Sequence, residues 1–302
     1  MKLQINPKYN LLSKFVNELP ESFATNGEVI YQDRNIVKRF QVQGFDVVVK
    51  SFRKPIFVNR IAYTFLRKSK AQRSYEYGLE ILKRGFDSPE PIAFLELYQN
   101  GLLSRSYFVS IFKAGTETVR QLMEGKVAGN EVLLTAFAKF TAEIHKAEIL
   151  HIDYSPGNIL YKTNENGDFE FSLIDINRLK FKSVNQEVAV VNLSRLCTSR
   201  EVLSFIARSY ANFRGWDETF MDMRMTKASD QFFKDYTFRL TRKAWRKKHI
   251  LSDKNPVKVF RWNDFLSRIS FLPIQIRKNA EKDRLEVYQK YLSAFDFRKV
   301  LK

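Results

Sequence analysis

Cysteine, histidine and long apolar runs are scarce in this chain of 302 residues, and each scarcity excludes a class of protein. The single cysteine, Cys197, rules out a disulfide framework, and three histidines without a cysteine cluster argue against a structural zinc site. No stretch approaches the roughly 18 uncharged apolar residues of a membrane span, and residues 1–7 lack the apolar core of a signal peptide. We therefore expect a cytoplasmic protein that does not cross a membrane.

Acidic residues are also few relative to basic ones. The chain has 33 Asp and Glu against 51 Lys and Arg, a formal net charge of +18. Such an excess indicates a polyanionic partner. The candidate partners are nucleic acid, anionic lipid headgroups and a phosphorylated substrate. With only 8 Pro and 11 Gly and no visible repeat, the chain is expected to fold as one large or two modest domains.

A short polar motif lies in the middle of the chain. Residues 151–158 read His-Ile-Asp-Tyr-Ser-Pro-Gly-Asn, and an apolar run then ends at Asp175. This H-x-D-x-x-x-x-N spacing followed by an acid is typical of phosphoryl-transfer enzymes of the protein-kinase type. We expect Asp153 to accept the proton of an attacking hydroxyl, Asn158 and Asp175 to bind Mg²⁺, and His151 to brace the loop. The alternative is that these residues are only caps and turn formers.

The turn between two strand-like runs favours the catalytic interpretation. Asn166-Gly167 is a strong signal for a two-residue hairpin turn. If those two residues form the turn, cross-strand partners have numbers that sum to 333, which predicts Asn158 opposite Asp175. An amide oxygen and a carboxylate would then lie together, and such hard oxygen ligands suit Mg²⁺ on nucleotide phosphates.

Upstream, the pattern predicts three antiparallel strands at 28–32, 36–42 and 47–50. The third ends in Lys50, where kinases place a lysine that binds the α- and β-phosphates and pairs with a helix glutamate. A predicted helix over 71–84 offers Glu76 and Glu80, and we favour Glu76. No G-x-G-x-x-G motif lies between the first two strands, so the backbone of the 33–35 turn would have to cover the phosphates. The alternative for Lys50 is a strand-end lysine in solvent.

In a bilobal kinase, which the resemblance given below implies, these elements would form an α+β fold with two lobes. We expect a small antiparallel-sheet N-lobe over 1–113, with residues up to about 27 as an N-terminal appendage, and a mainly helical C-lobe over 114–302. The strand that ends near residue 113 would be the hinge. There, the backbone groups of four residues would bind adenine, namely Ser110, Ile111, Phe112 and Lys113.

Two segments, 53–73 and 234–249, carry dense positive charge interleaved with aromatic and aliphatic residues. Such segments are typical of a membrane interface, of a nucleic-acid face or of an ordinary solvated helix. For 234–249 the density of charge favours binding to an anionic bilayer. For 53–73 the family resemblance given next implies peripheral contact with an anionic membrane, and we expect no specific nucleic-acid binding.

Several motifs together resemble the lipopolysaccharide kinase family that phosphorylates Kdo or heptose in the inner core of lipid A glycolipids. The resemblance covers Val47-Val48-Val49-Lys50, the basic stretches 59–63 and 66–71, residues 85–91, the 151–160 loop and Leu173-Ile174-Asp175. It implies a bilobal kinase that uses ATP and Mg²⁺ on an anionic glycolipid acceptor, peripheral on the inner membrane. Ile152, which stands where Gly or Arg is usual, and Ile176-Asn177, in place of Phe-Gly, depart from the wider kinase pattern.

Two rival functions remain open. One is a soluble small-molecule or protein kinase of the same fold, and the other is a non-catalytic basic binding protein on a kinase scaffold. The sequence leaves the sugar, the hydroxyl and the oligomeric state undetermined.

Overall fold

A computed structural model describes residues 1–247 and the pairs 274–275 and 278–279, without the side chains of 237, 238 and 240–247. Within this part of the chain, an antiparallel sheet forms the first third and helices dominate the rest, which confirms the α+β prediction. None of the described helices combines the length and the apolar character needed to cross a membrane.

The large sheet has six strands, and all neighbours are antiparallel. The strands are β1 (Lys2–Ile5), β2 (Glu28–Gln32), β3 (Ile36–Val42), β4 (Phe45–Phe52), β5 (Pro91–Gln99) and β6 (Leu102–Ile111). Their order across the sheet is β1-β5-β6-β4-β3-β2. The predicted β2-β3-β4 meander is confirmed, and Val47 and Val49 of β4 are fully buried, as alternation along a half-buried strand requires.

The N-terminal segment is part of the sheet and not a separate appendage. Strand β1 pairs with β5, from Lys2 opposite Glu96 to Ile5 opposite Ala93. Helix α1 (Ser13–Ser22) buries Val16 and Leu19 in the apolar cluster on one face of the sheet. Nothing local in the sequence indicates this pairing, because it joins segments about ninety residues apart.

Helix α3 (Lys70–Lys83) covers the face of the sheet opposite to α1. It confirms the predicted 71–84 helix to within one residue. The Ser69 side chain caps it by accepting a hydrogen bond from the Gln72 N–H, and Gly85 follows its end with φ +83°. Before it, the short helix α2 (Phe57–Ile61) runs into a single π turn, Ala62–Leu66. Gly78 brings α3 close to β5, since a Cβ added there would lie 2.5 Å from Pro91 Cγ.

The second lobe is built around one large apolar cluster. Its helices are α4 (Arg120–Glu124), α5 (Glu131–Lys146), α6 (Gln186–Leu193), α7 (Arg200–Arg214) and α8 (Glu218–Lys247). Its short strands are β7 (Glu117–Thr118), β8 (Ile149–His151), β9 (Ile159–Thr163), β10 (Phe169–Leu173) and β11 (Leu179–Phe181). Helix α5 confirms the apolar stripe predicted over 130–146, and Phe137 and Ile144 are fully buried.

The β9-β10 hairpin differs from the prediction by one residue. Its partners run from Phe169 opposite Thr163 to Leu173 opposite Ile159, so their numbers sum to 332 and not 333. The turn is longer than two residues, because the Asn164 N–H donates to the Asp168 carbonyl and only Gly167 within it has positive φ. Asn158 therefore lies opposite Ile174, whose N–H donates to the Asn158 carbonyl at 2.9 Å. Asp175 is the next residue, in the left-handed conformation.

Candidate active site

The loop that carries Asp153 is held by His151. This histidine is fully buried, and its Nδ1 accepts a hydrogen bond from the Asp153 N–H at 3.1 Å. Its Nε2 must then carry the proton, which it donates to the Ile174 carbonyl at 3.0 Å. Burial lowers the pKa of His151, so the ring stays neutral. The contacts agree with the bracing role expected from the sequence.

Asn158 and Asp175 lie at the open end of the β9-β10 hairpin. The Asn158 amide nitrogen donates to the Asp153 carbonyl at 2.9 Å, which leaves the amide oxygen available for a cation. The Asp175 Oδ1 accepts hydrogen bonds from Lys50 at 2.6 Å and from Asn177 at 2.5 Å. The hairpin thus brings the amide and the acid to one place, although its register is not the predicted one.

Lys50 pairs with Asp175 and not with a helix glutamate. Burial favours the neutral form of Asp175, but the Lys50 ammonium outweighs it and holds the pKa of Asp175 below its usual value. The predicted Lys50–Glu76 pair is absent from the described residues, because Glu76 accepts from Lys68 at 2.7 Å and from Gln72 at 2.9 Å. Glu80 is paired with Arg84 at 2.8 Å. Both glutamates find partners on or next to α3 itself, so neither reaches the sheet lysine.

A second lysine lies near this ion pair. Lys70, the first residue of α3, is half-buried and has no ion-pair partner among the described residues. Its burial and the charges of Arg178, Arg73 and Lys50 lower its pKa, while Asp175 opposes this shift. The site therefore holds more positive than negative charge. In the sequence, Lys70 was assigned only to the basic segment 53–73. The signal that could have identified it was its position just before the predicted helix 71–84.

The predicted hinge residues end the sheet. Ser110 is buried within β6, the Ile111 N–H donates to the Glu90 carbonyl at 3.0 Å, and the Phe112 N–H donates to the Asp46 carbonyl at 2.9 Å. These two donors are thus occupied, and the Lys113 N–H has no hydrogen-bond partner in the described part of the chain. The Lys113 ammonium binds Asp87 at 2.6 and 2.8 Å. Of the four predicted residues, Lys113 alone keeps a backbone donor for a base.

Two arginines flank the Asp153 carboxylate. Arg195 Nη1 lies 3.5 Å from Asp153 Oδ1, and Arg178 Nη1 lies 3.8 Å from Oδ2. From the sequence, the positive charge that begins at Arg178, just after Asp175, would suit an acidic acceptor, whereas the segment around Arg195 indicates ordinary lobe packing. No sequence signal links Arg195 to a carboxylate 42 residues earlier.

The comparisons with known proteins agree with this geometry. Residues 30–216, well over half of the chain, match the family model described as "Lipopolysaccharide kinase (Kdo/WaaP) family". The chain belongs to the lipopolysaccharide kinase (Kdo/WaaP) family. Members of this family are kinases that transfer phosphate to sugar hydroxyls, so the protein is an ATP-using kinase of the lipopolysaccharide core.

A solved structure shares the fold of this lipopolysaccharide kinase. It is titled "WaaP in complex with acyl carrier protein", is 17% identical, and superposes with a TM-score of 0.54 over 76% of this chain and 99% of that chain. This likeness confirms the bilobal kinase-like fold. A search of curated proteins found no match.

Proposed function

We propose that this lipopolysaccharide kinase phosphorylates a Kdo or heptose hydroxyl of the lipid A inner core at the cytoplasmic face of the inner membrane. The observation that carries the proposal is the clustering of four groups from three separate stretches of the sequence, namely Lys50, the 153–158 loop and Asp175. Asn158 binds the Asp153 backbone, Asp175 follows the residue paired with Asn158, and Lys50 binds Asp175. The family membership directs this kinase chemistry to a sugar acceptor.

In this proposal, Asp153 is the base and Lys50 binds the nucleotide. The acceptor hydroxyl oxygen attacks the γ-phosphorus of ATP, its proton passes to the Asp153 carboxylate, and ADP leaves. Lys50, with Lys70 nearby, binds the phosphates, while the Lys113 backbone at the boundary between lobes 1–113 and 114–302 meets adenine. A nucleotide polyphosphate would balance the excess positive charge around Lys50 and Lys70.

Asn158 and Asp175 have the chemistry of Mg²⁺ ligands. Asn158 keeps a free amide oxygen, and Asp175, whose pKa is lowered, is a carboxylate with one oxygen uncommitted to Lys50. The described residues contain no group of three or more His, Cys, Asp or Glu side chains able to hold a metal alone. One carboxylate, an amide and substrate phosphates are a usual magnesium shell, so the donors present fit the ion, which would neutralise phosphate charge.

Segment 53–73 supports the proposed membrane contact. Helix α2 and the π turn after it expose large apolar side chains, with Phe57 63%, Phe65 71% and Leu66 81% accessible. The basic Arg67 and Lys68 follow at once, and both are exposed. An exposed apolar surface bordered by cations suits an anionic bilayer. In segment 234–249, Lys234 and Arg239 are exposed on α8, and the remaining basic residues lie outside the described side chains.

A panel of acceptors tests the proposed reaction. Purified protein, labelled ATP and Mg²⁺ are incubated with one acceptor at a time. The acceptors are Kdo-containing lipid A, heptose-containing core, choline, an aminoglycoside and a generic protein. We expect the wild type to transfer phosphate to a lipid A glycolipid and to none of the other three acceptors. The Asp153→Ala variant should transfer phosphate to no acceptor. Phosphate on choline, the aminoglycoside or the protein would make the soluble-kinase alternative correct.

Flotation with vesicles tests the membrane contact. We expect binding to vesicles that contain phosphatidylglycerol and weaker binding by the double variant Phe65→Ser, Leu66→Ser. The exposed Val132→Ser on α5 is the matched control, since Val132 is 75% accessible and lies outside both basic segments. Equal flotation of all three proteins would remove segment 53–73 from the proposed interface.

A further inference from the structure

The catalytic loop has no cation of its own, and two arginines from other elements supply positive charge beside its base. Residues 152–157 read Ile-Asp-Tyr-Ser-Pro-Gly and contain neither Lys nor Arg. Arg178 instead follows Asp175, and Arg195 lies between α6 and α7. Even with the Asp153 charge included, this group of three side chains carries one net positive charge.

The chain places both arginines firmly. The Ile152 N–H donates to the Arg178 carbonyl at 3.3 Å, so the backbone of Arg178 is tied to the loop. Near Arg195, the Asn192 amide donates to the His151 carbonyl at 2.9 Å, which ties the end of α6 to the same loop. The Arg195 guanidinium also lies 5.6 Å from the centre of the Phe232 ring on α8. Two separate elements are therefore fixed at positions that aim cations at one carboxylate.

These cations are not saturated by Asp153. Distances of 3.5 and 3.8 Å are long for charge-assisted hydrogen bonds, which are typically about 2.7–2.9 Å. The Arg195 Nε–H is buried and has no hydrogen-bond partner within the described part of the chain. That buried group is closed to a substrate, but a guanidinium has five N–H groups, so each arginine offers donors beyond the one nearest Asp153. The pair thus retains donors for another anion.

A neutral hydroxyl would need only the base, whereas two cations beside it suit an acceptor that brings a negative charge. Resting on the function proposed above, we propose that Arg178 and Arg195 bind an anionic group, a carboxylate or a phosphate, carried by the acceptor next to its reacting hydroxyl. Guanidinium groups match the planar geometry of a carboxylate and the oxygens of a phosphate. Acidic core sugars are then the preferred acceptors, and the two arginines determine that specificity.

The test compares the wild type and variants on acceptors that differ in charge. The glycolipid that carries Kdo is used unmodified, with its sugar carboxylate converted to the neutral methylamide, and after phosphatase treatment. The variants are Arg195→Met, which keeps an unbranched side chain but removes the charge, and the exposed Arg178→Met. Arg208→Met is the matched control, since Arg208 pairs with Asp222 on α8 at 2.9 Å. Thermal melting checks the fold of each variant.

We expect the wild type to lose at least 30-fold in kcat/KM on the acceptor that lacks the recognised anion. Each arginine variant loses a similar factor on the unmodified acceptor but less than 3-fold on the neutralised one, with the KM for ATP unchanged. A loss confined to the methylamide identifies the carboxylate, and a loss confined to the phosphatase-treated acceptor identifies a phosphate.

Other outcomes overturn the inference. One such outcome is that the wild type has the same kcat/KM on all three acceptors. Another is that each variant loses the same factor in kcat/KM on each acceptor. In either case the arginines do not recognise the charge of the acceptor. A raised KM for ATP in the variants would assign them to the nucleotide instead. Comparing the three acceptors with the wild-type protein already tests the inference, so it can be refuted even if a variant fails to fold. Failure of the wild type to phosphorylate any of the three acceptors and also the heptose-containing core would refute the proposed function itself.

Discussion

Burial of His145 predicts a pH-dependent loss of stability that one substitution should remove. His145 on α5 is 1% exposed, and its Nδ1 lies 2.9 Å from the Tyr210 hydroxyl. The same hydroxyl accepts from Arg214 at 2.9 Å, and His145 Nδ1 is the acceptor that lies within reach of its own proton. Burial, with a smaller effect from the Arg214 charge, lowers the pKa of His145 from 6.5 to about 3.

The size and sign of this change in the free energy of unfolding follow from proton linkage. The unfolded chain binds a proton at His145 near pH 6.5, whereas the folded protein does so only near pH 3. Stability is therefore fully present above pH 6.5 and falls as the pH decreases toward 3, by up to about 1.4 kcal/mol per pH unit. Between pH 7.5 and 5, this one residue should cost about 2 kcal/mol in the free energy of unfolding.

Urea unfolding at several pH values, followed by tryptophan fluorescence, measures this effect in the wild type and in His145→Phe. Phenylalanine keeps the ring but does not titrate, so the variant should lose about 2 kcal/mol less than the wild type from pH 7.5 to 5. At pH 7.5 the variant should be less stable by about 1–3 kcal/mol, because the Tyr210 hydroxyl loses its acceptor. The other histidines are common to both proteins and cancel. Parallel pH profiles for the two proteins would refute the assigned burial effect.

Three further substitutions test the site. Asp153→Asn should lower kcat by about 10²–10⁴ without weakening ATP binding, as measured by steady-state kinetics and calorimetry, because only the base is lost. Asp175→Asn should raise the Mg²⁺ concentration needed for half-maximal ATP binding, measured by titration, because a carboxylate donor is removed. Gly78→Ala should lower the free energy of unfolding by about 1–3 kcal/mol in urea and also reduce kcat, because the new methyl group meets Pro91 and Ile176, next to Asp175.

Each of these has an outcome that contradicts it. Wild-type turnover by Asp153→Asn would remove that residue as the base. An unchanged Mg²⁺ requirement in Asp175→Asn would remove it as a ligand. For Gly78→Ala, the control is Leu79→Ala on the exposed side of the same helix, and equal kcat values for the two variants would show that the close approach at Gly78 does not position Asp175.

The residues that the sequence could identify are those with local signals. The H-x-D-x-x-x-x-N spacing, the alternating apolar strands around Lys50 and the Ser69 cap before α3 each depend on a few neighbouring residues. The register of the β9-β10 hairpin was missed by one residue because Asn164 caps a longer turn with its side chain, accepting from Asn166 and Asp168. The local turn signal was present, but it did not determine the turn length.

Partners far apart in the chain could not be predicted. Glu76 was a reasonable partner for Lys50, but Lys68 and Gln72 lie closer to it, and Asp175 reaches Lys50 across 125 residues. The position of Arg195 beside Asp153 was missed for the same reason. Choosing between such partners depends on side-chain packing, which sequence spacing does not encode.

The amino-acid sequence alone indicated the kinase chemistry of this protein, because Asp153 and Asn158, the proposed base and Mg²⁺ ligand, occur at a short, fixed spacing in one loop, and Asp175 follows the hairpin after it. Only the tertiary structure decided which cations meet which carboxylates, how β1 joins the sheet and where Arg178 and Arg195 lie. Local backbone preferences extend over a few residues, whereas these contacts depend on how whole elements pack against one another.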